Sequence, residues 1–381
     1  MNNDKSLYPG GLATYTYNVC KILQKNDIEP TVFSLGSNTV SEKLDNIDCI
    51  IYRNSTFRIK KILLFISLGF MNRSISRLLD SFMIYLGTRS ILKNFDIIHC
   101  SNWKHPALFL RKKDNFVLRI SSYEKFWDNE PNNFTIDKWL CQKLEKHEIG
   151  SYKNIIGPGK FILETIQKDL KKDTELIPTP FINANLNKTS SKQSLKFLYV
   201  GTLSYSKGVD LLLELVDYVL SKYEKAEFSL VGKLSGINLE CTVNNISGLY
   251  SRYNKRFKHI NHLNKIDLNK IYQDSEILCI PSLYDNFPNV ALEAMSNGCI
   301  VIASNTASLE TLIISGENGY IVESRNVEAW GRIIDDLIMM TPKEKSTFKF
   351  KIKDRLTNFT TENAGTLLIN YYKKIAKNND A

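Results

Sequence analysis

Lys196-Phe197-Leu198-Tyr199-Val200-Gly201-Thr202-Leu203-Ser204-Tyr205-Ser206-Lys207-Gly208-Val209-Asp210 decides the fold. The stretch opens with an apolar run, Lys196–Val200, that stops at Gly201. Strands buried on both faces of a sheet read as continuous apolar runs of this kind. Past Gly208 the period changes: Val209, Leu212, Leu213, Val216, Val219 and Leu220 recur at helical spacing, with Asp210, Glu214, Asp217 and Ser221 on the opposite face. That pattern predicts an amphipathic helix. Similar runs return at Phe228–Val231 before Gly232, Ile277–Ile280 before Pro281, and Ile300–Ala303 before Ser304. Strands alternating with helices predict an α/β, doubly wound parallel sheet.

Working toward the N-terminus, the same theme is less clean. Candidate strands are Thr31–Leu35, Cys49–Tyr52, Asp96–Cys100, Phe116–Ile120 and Asn154–Ile156. Between the halves, Asn183–Ser194 is rich in Asn, Ser, Thr and Lys and reads as a linker. A chain of 381 residues fits two domains. The expected division is an N-terminal Rossmann-like domain over 1–187, a C-terminal one over 188–360, and a helix over 361–381 packing back toward the first domain. Two such domains joined by one linker leave a cleft, and ligands in such sheets bind outside the carboxyl ends of the strands.

Composition narrows the function classes. Hydrophobic residues make up 43% and charged residues 24%, as in ordinary globular chains. The seven cysteines (Cys20, Cys49, Cys100, Cys141, Cys241, Cys279 and Cys299) form no CxxC pair, so they read as small buried residues of a reducing compartment rather than disulfides or zinc ligands. The net charge of +10 calls for nucleic acid, an anionic membrane or a phosphorylated substrate. No zinc-finger spacing, RNP-like strand or basic recognition helix is present, which favours membrane and phosphate over nucleic acid. Met1-Asn2-Asn3-Asp4-Lys5 carries no apolar signal core, and the longest apolar stretch, Ile62 to Met71, is about half of a bilayer span. The expected location is cytoplasmic, with peripheral attachment to the inner membrane face.

The segment Ile280-Pro281-Ser282-Leu283-Tyr284-Asp285-Asn286-Phe287-Pro288-Asn289-Val290-Ala291-Leu292-Glu293-Ala294-Met295 carries the strongest chemical signal. A strand ends at Pro281 and a loop follows. A helix is expected from Pro288, because proline suits a first helical position, and Gly298 suits its end. The free amides of the first turn, with the helix dipole, make an anion site suited to a diphosphate. Asp285 sits in the loop, and Glu293, in the second turn, can accept hydrogen bonds from a ribose diol. Paired glycines at Tyr8-Pro9-Gly10-Gly11 let backbone approach a phosphate or sugar closely.

The Asp285-to-Glu293 segment resembles the motif of family 4 glycosyltransferases, in which an acidic residue, seven others and a Glu precede Ala-Met and a Gly. The family usually has Glu where this chain has Asp285. The Lys207-Gly208 pair is similar to the family's Lys-Gly, but Thr202 occupies the place of its usual Arg, so Lys233 after Gly232 is the candidate replacement cation. Softer likenesses are Phe95-Asp96-Ile97-Ile98-His99, Ile177-Pro178-Thr179-Pro180, Glu310 after Ser304–Leu309, and Phe116–Ser121, where Ser121 stands where many members place an active-site His. His99 itself reads as structural rather than catalytic. The resemblance implies a GT-B fold, two Rossmann-like doubly wound domains facing across a cleft, and a retaining sugar transfer. The substrates implied are a nucleotide-diphosphate sugar and a glycan or lipid-linked acceptor, in bacterial surface polysaccharide synthesis. It assigns catalysis to Asp285 and Lys207, and donor binding to Gly10, Gly11, Gly201, Lys207, Lys233, Asn286, Phe287, Pro288, Asn289, Val290 and Glu293. No metal or other cofactor is implied.

Three expectations accompany this reading. The departures at Asp285, Thr202 and Ser121 leave open a catalytically weak sugar-nucleotide-binding or scaffold subunit of the same fold; a sugar-nucleotide epimerase of that architecture fits the Asp285-to-Glu293 motif less well. Arg58-Ile59-Lys60-Lys61 leading into Ile62–Ile66, with Phe70, Met71, Arg73 and Arg77 beyond, reads either as an interfacial membrane element or as a buried helix with basic flanks. Finally, polar Met1–Leu7 cannot form the buried central strand that such a domain needs before its glycine loop, because desolvating Asp4 and Lys5 without partners costs several kcal/mol. The first strand is therefore expected to be missing.

Overall fold

The structure, a computed structural model, describes residues 11–56, 60, 63, 70–110, 114–127, 135–181, 195–235 and 239–379. Met1–Leu7, Gly10, the stretch read as a linker and most of the basic-apolar segment after Phe57 lie outside the described residues. The chain forms two compact units: Met1–Phe181 with Thr361–Ala381, and Ile182–Thr360.

In the first unit, β1 (Thr31–Gly36), β2 (Val40–Leu44) and β3 (Ile47–Arg53) form a sheet of order β1-β3-β2. β1 runs parallel to β3, and β2 is antiparallel to it. The sequence pattern does not show β2 because its residues are mostly exposed and polar. The chain reverses through Asp45 and Asn46, both at positive φ (49° and 64°), as a two-residue hairpin turn requires. A second, parallel sheet has order β4-β5-β6-β7: β4 (Ile98–Ser101), β5 (Phe116–Arg119), β6 (Asn154–Gly157) and β7 (Glu175–Leu176). Among the described residues no strand joins these two sheets. Helix Gly11–Lys25 packs on both: Cys20 against Ile47 and Cys49, and Tyr15 with Val19 against Val117 and Ile156. Leu368, Tyr372 and Ile375 of helix Asn363–Asn379 complete the second core.

The second unit holds one six-stranded, all-parallel sheet: β8 (Lys196–Val200), β9 (Glu227–Val231), β10 (Phe257–Ile260), β11 (Ile277–Ile280), β12 (Ile300–Ser304) and β13 (Gly319–Val322). Its order is β10-β9-β8-β11-β12-β13. This is the doubly wound order whose direction reverses between the first and fourth strands, here β8 and β11. The helix expected after Gly208 spans Val209–Lys222 and buries Val209, Leu211, Leu212, Leu213, Leu215, Val216, Val219 and Leu220. At about 1.5–3 kcal/mol per buried aliphatic side chain, that face is a main source of the unit's stability. β10 and β13 escape the sequence reading because Lys258 and His259 interrupt one apolar run and Gly319 opens the other. Among the cysteines, Cys20, Cys49, Cys141, Cys279 and Cys299 are buried and none is in a disulfide, but Cys100 is half-buried and Cys241 is exposed on a helix.

Candidate active site

The site builds up where the strand order reverses. β8 ends at Gly201, and its chain turns through a short 3-10 segment, Tyr205–Lys207, before the long helix. Gly208 makes that turn at φ 72°, and any Cβ there would collide with the Pro281 carbonyl at the end of β11. Only glycine lets the two strand ends approach this closely. The approach is sealed by backbone: Leu283 N and Tyr284 N donate to Ser206 O at 3.0 and 3.4 Å. The loop after β12 joins them, with Asp285 N donating to Thr306 O at 3.1 Å and Phe287 N to Ala307 O at 3.3 Å.

These ties bring together residues far apart in sequence. Lys207 Nζ lies 2.5 Å from Asp285 Oδ2, and both side chains are about four-fifths buried (19% and 18% exposed). Asn286 N donates to Asp285 Oδ1 at 2.9 Å, fixing the carboxylate's second oxygen. The helix that follows is Asn289–Ser296; Pro288 caps it rather than opening it, because its ψ of 120° is extended although its φ of −63° suits a helix. The Val290 amide in the first turn meets no acceptor among the described residues. Gly298, at φ 80°, follows the C-cap Asn297 and ends the helix as its sequence position implies.

Phe287 contributes through its backbone. It holds a left-handed φ of 59°, and its buried ring stacks on Phe359 at 5.6 Å between centroids. The ring anchors the loop against Phe359. Glu293 is half-buried, and Tyr272 donates to its Oε2 at 3.0 Å. Burial raises the Glu293 carboxyl, opposed by the Tyr272 hydrogen bond and then by Lys265. Tyr272 is buried and its own ionisation is pushed well up, first by burial and then by the Glu293 charge. It therefore stays a neutral donor. Sequence reading missed it because it lies 21 residues before Glu293.

Thr202 is exposed, and its carbonyl accepts from Tyr199 at 2.8 Å. Leu203 N donates to Lys233 O at 2.8 Å and Ser235 N to Leu203 O at 3.0 Å, so the ends of β8 and β9 are zipped together. Gly232 permits this, since a Cβ there would overlap the Gly201 carbonyl. The Lys233 side chain is exposed and beside the Thr202 segment, with no ion pair among the described residues. Gly201, Lys207, Lys233, Asp285 to Val290 and Glu293 thus all fall at the carboxyl ends of one sheet. Gly11 opens its helix in the other unit, exposed.

In that first unit, His99 is half-buried between two tyrosines, with Tyr15 Oη at 3.4 Å from Nε2 and Tyr372 Oη at 2.6 Å from Nδ1. Desolvation, and then the Arg119 charge, push its pKa down to about 3, so the ring is neutral. Ser121 Oγ accepts from Ser101 Oγ at 2.9 Å and from Arg119 Nη1 at 2.8 Å.

Comparison with known proteins gives the fold. Residues 182–353 match the family model described as Glycosyl transferases group 1. The chain resembles the sucrose-phosphate synthase from Thermosynechococcus elongatus with a TM-score of 0.74 and 17% identity, over 96% of this chain and 94% of that one. It resembles a trehalose-6-phosphate structure from E. coli bound with UDP-2-fluoro glucose with a TM-score of 0.70 and 13% identity, over 96% of each chain. The fold is therefore that of the GT-B glycosyltransferases, with two Rossmann-like domains. An uncharacterized glycosyltransferase of Haemophilus influenzae is 24% identical over 338 residues, covering 86% of this chain and 87% of the relative.

Proposed function

We propose that the protein transfers a glycosyl group, with retention of configuration, from a nucleotide-diphosphate sugar to a glycan or lipid-linked acceptor of bacterial surface polysaccharide synthesis. The observation that carries this reading is the Lys207–Asp285 pair, with Glu293 on the helix that follows, at the strand-order reversal of the second unit. In this reading Glu293 accepts from the ribose diol, and the Tyr272 hydrogen bond holds the carboxylate in place. The amides opening helix Asn289–Ser296 and the Lys207 ammonium meet the diphosphate, and Lys233 adds a second cation in place of an arginine. As the leaving group departs, charge grows on the diphosphate oxygens, and fixed donors there stabilise that charge without having to reorganise. Asp285 orients the donor sugar's hydroxyls. No metal or other cofactor enters this scheme.

A donor panel tests it. Release of sugar and nucleoside diphosphate from one nucleotide sugar, lost in Lys207→Ala, supports the transferase. Donor binding with no turnover, with or without acceptors, would instead mark a sugar-nucleotide-binding scaffold subunit. The acceptor's lipid link is proposed from the first unit's surface: Phe82 and Phe109, each 44% exposed, meet edge to face at 6.1 Å, an apolar patch suited to a membrane interface. Sedimentation with anionic liposomes at low salt, weakened by Phe82→Ser, is the expected result; no sedimentation removes the membrane from the proposal.

A further inference from the structure

Arg119, the last residue of β5, is only 8% exposed. Burying a cation costs several kcal/mol unless an acid is at hand. The first unit meets that requirement elsewhere: buried Arg77 lies 2.7 Å from Glu124, itself 2% exposed. Among the described residues Arg119 has no such partner. Nη1 donates to Ser121 Oγ at 2.8 Å and Nη2 to Thr179 Oγ1 at 3.1 Å, and the guanidinium lies 3.8 Å from the centre of the Tyr15 ring. The groups coupled to its charge are tyrosines, Tyr15 and Tyr372, which burial keeps neutral. His99 beside them is neutral as well. All of these neighbours are neutral, and among the described residues no carboxylate pairs with Arg119.

A second observation points outward from the same place. Ser121 accepts from both Arg119 and Ser101, so its own hydroxyl proton is left to donate. The loop holding it is locked: Asn102 Oδ1 accepts from Ser121 N at 2.7 Å and Ser122 N at 3.3 Å, while Asn102 Nδ2 donates to Ser122 O at 2.6 Å and Glu145 Oε1 at 2.8 Å. Glu145 in turn accepts from Glu124 N at 2.6 Å. A fixed hydroxyl donor backed by a cation without a counter-ion stands at the carboxyl ends of β4 and β5, where sheets of this kind bind ligands.

We propose that Arg119 and Ser121 form an oxyanion subsite in the first unit, which takes a phosphate or carboxylate group of the molecule bound there. The ligand supplies the missing counter-charge: Ser121 donates to an oxyanion whose charge the guanidinium behind it balances. Only the naming of that molecule as the acceptor rests on the transferase reading.

The test titrates the full chain, at constant ionic strength in chloride, with glucose 6-phosphate, glucuronate, inorganic phosphate, acetate and neutral glucose. At least one anion is expected to saturate while glucose does not; the sugar phosphate and the uronate distinguish the two sources of the charge. Arg119→Met should weaken that binding about tenfold or more, and Ser121→Ala by a smaller factor, as expected for lost hydrogen bonds to a charged group. Because Arg119→Met removes a charge with no counter-ion, it should melt at or above the wild-type temperature without ligand. Failure of every anion to saturate, wild-type affinity in either variant, or a melting temperature of Arg119→Met below wild type overturns the proposal. Nucleoside diphosphate binding should be unchanged in both variants. Failure of the anion site therefore leaves the donor reading standing, and the reverse also holds.

Discussion

The two units treat a buried cation differently. In the second unit, Lys207 is held 2.5 Å from Asp285, so the proposed donor site is close to electrically neutral before anything binds. In the first, Arg119 is more deeply buried and, among the described residues, is held by hydroxyls and an aromatic face. A diphosphate arriving at the second unit must compete with an internal carboxylate for its cation. An oxyanion arriving at the first meets no internal rival. In the proposed transfer, charge complementarity at the second unit comes through exchange of partners, with Asp285 passing from Lys207 to the sugar as the diphosphate takes its place.

The largest expected effect breaks the proposed donor side outright. Lys207→Ala should slow turnover by about 30- to 1,000-fold, the equivalent of about 2–4 kcal/mol of lost leaving-group stabilisation. Steady-state kinetics at saturating donor checks it, and unchanged kcat would remove Lys207 from the chemistry.

Next in size is a pH effect confined to the first unit. His99 has a folded pKa of about 3 against an ordinary value near 6.5. Below about pH 6.5 the unfolded chain takes up a proton that the folded one refuses, so stability present above that pH is lost as pH falls toward 3. The slope from this group approaches about 1.4 kcal/mol per pH unit well below pH 6.5. Urea unfolding from pH 7 to 4 should show that excess slope in wild type over His99→Gln; equal slopes would mean that the ring takes up its proton in the folded state.

The smallest effect sharpens the comparison most. Asp285→Asn frees Lys207 from its ion pair, so nucleoside diphosphate should bind more tightly by up to about fivefold, the worth of an ion pair still reached by solvent, while turnover falls. Opposite signs for affinity and turnover in one variant would separate Asp285's roles; weaker binding would mean that the pair is needed to shape the site.

Much of the second unit was legible in the sequence because its strands are buried on both faces and its glycines fall where strand ends nearly touch. Gly208 and Gly232 punctuate the apolar runs for the same reason that they fit the structure: a side chain there would strike another strand's carbonyl. The Asp285-to-Glu293 spacing was legible because both lie on one loop and helix. What was not legible depends on long-range packing. Nothing local in Tyr272 marks it as the donor to Glu293, and nothing in Phe287 shows whether its ring meets a ligand or, as found, Phe359. Arg119 reads as an ordinary strand-end arginine, and only the environment formed by Tyr15, Thr179 and Tyr372 shows a buried charge without an acid. Pro288 looked like a first helical residue because its fixed φ fits that position; its ψ, set by the loop, makes it the cap.

The proposed transfer requires a nucleotide-diphosphate site at the carboxyl ends of β8 and β11. Isothermal titration of UDP, GDP and ADP into wild type, Lys207→Ala and Glu293→Ala tests it most directly. The account predicts saturable binding of one of them, weakened about tenfold or more in each variant through loss of a charge-assisted contact. No binding by wild type, or equal affinity across the three proteins, would contradict it.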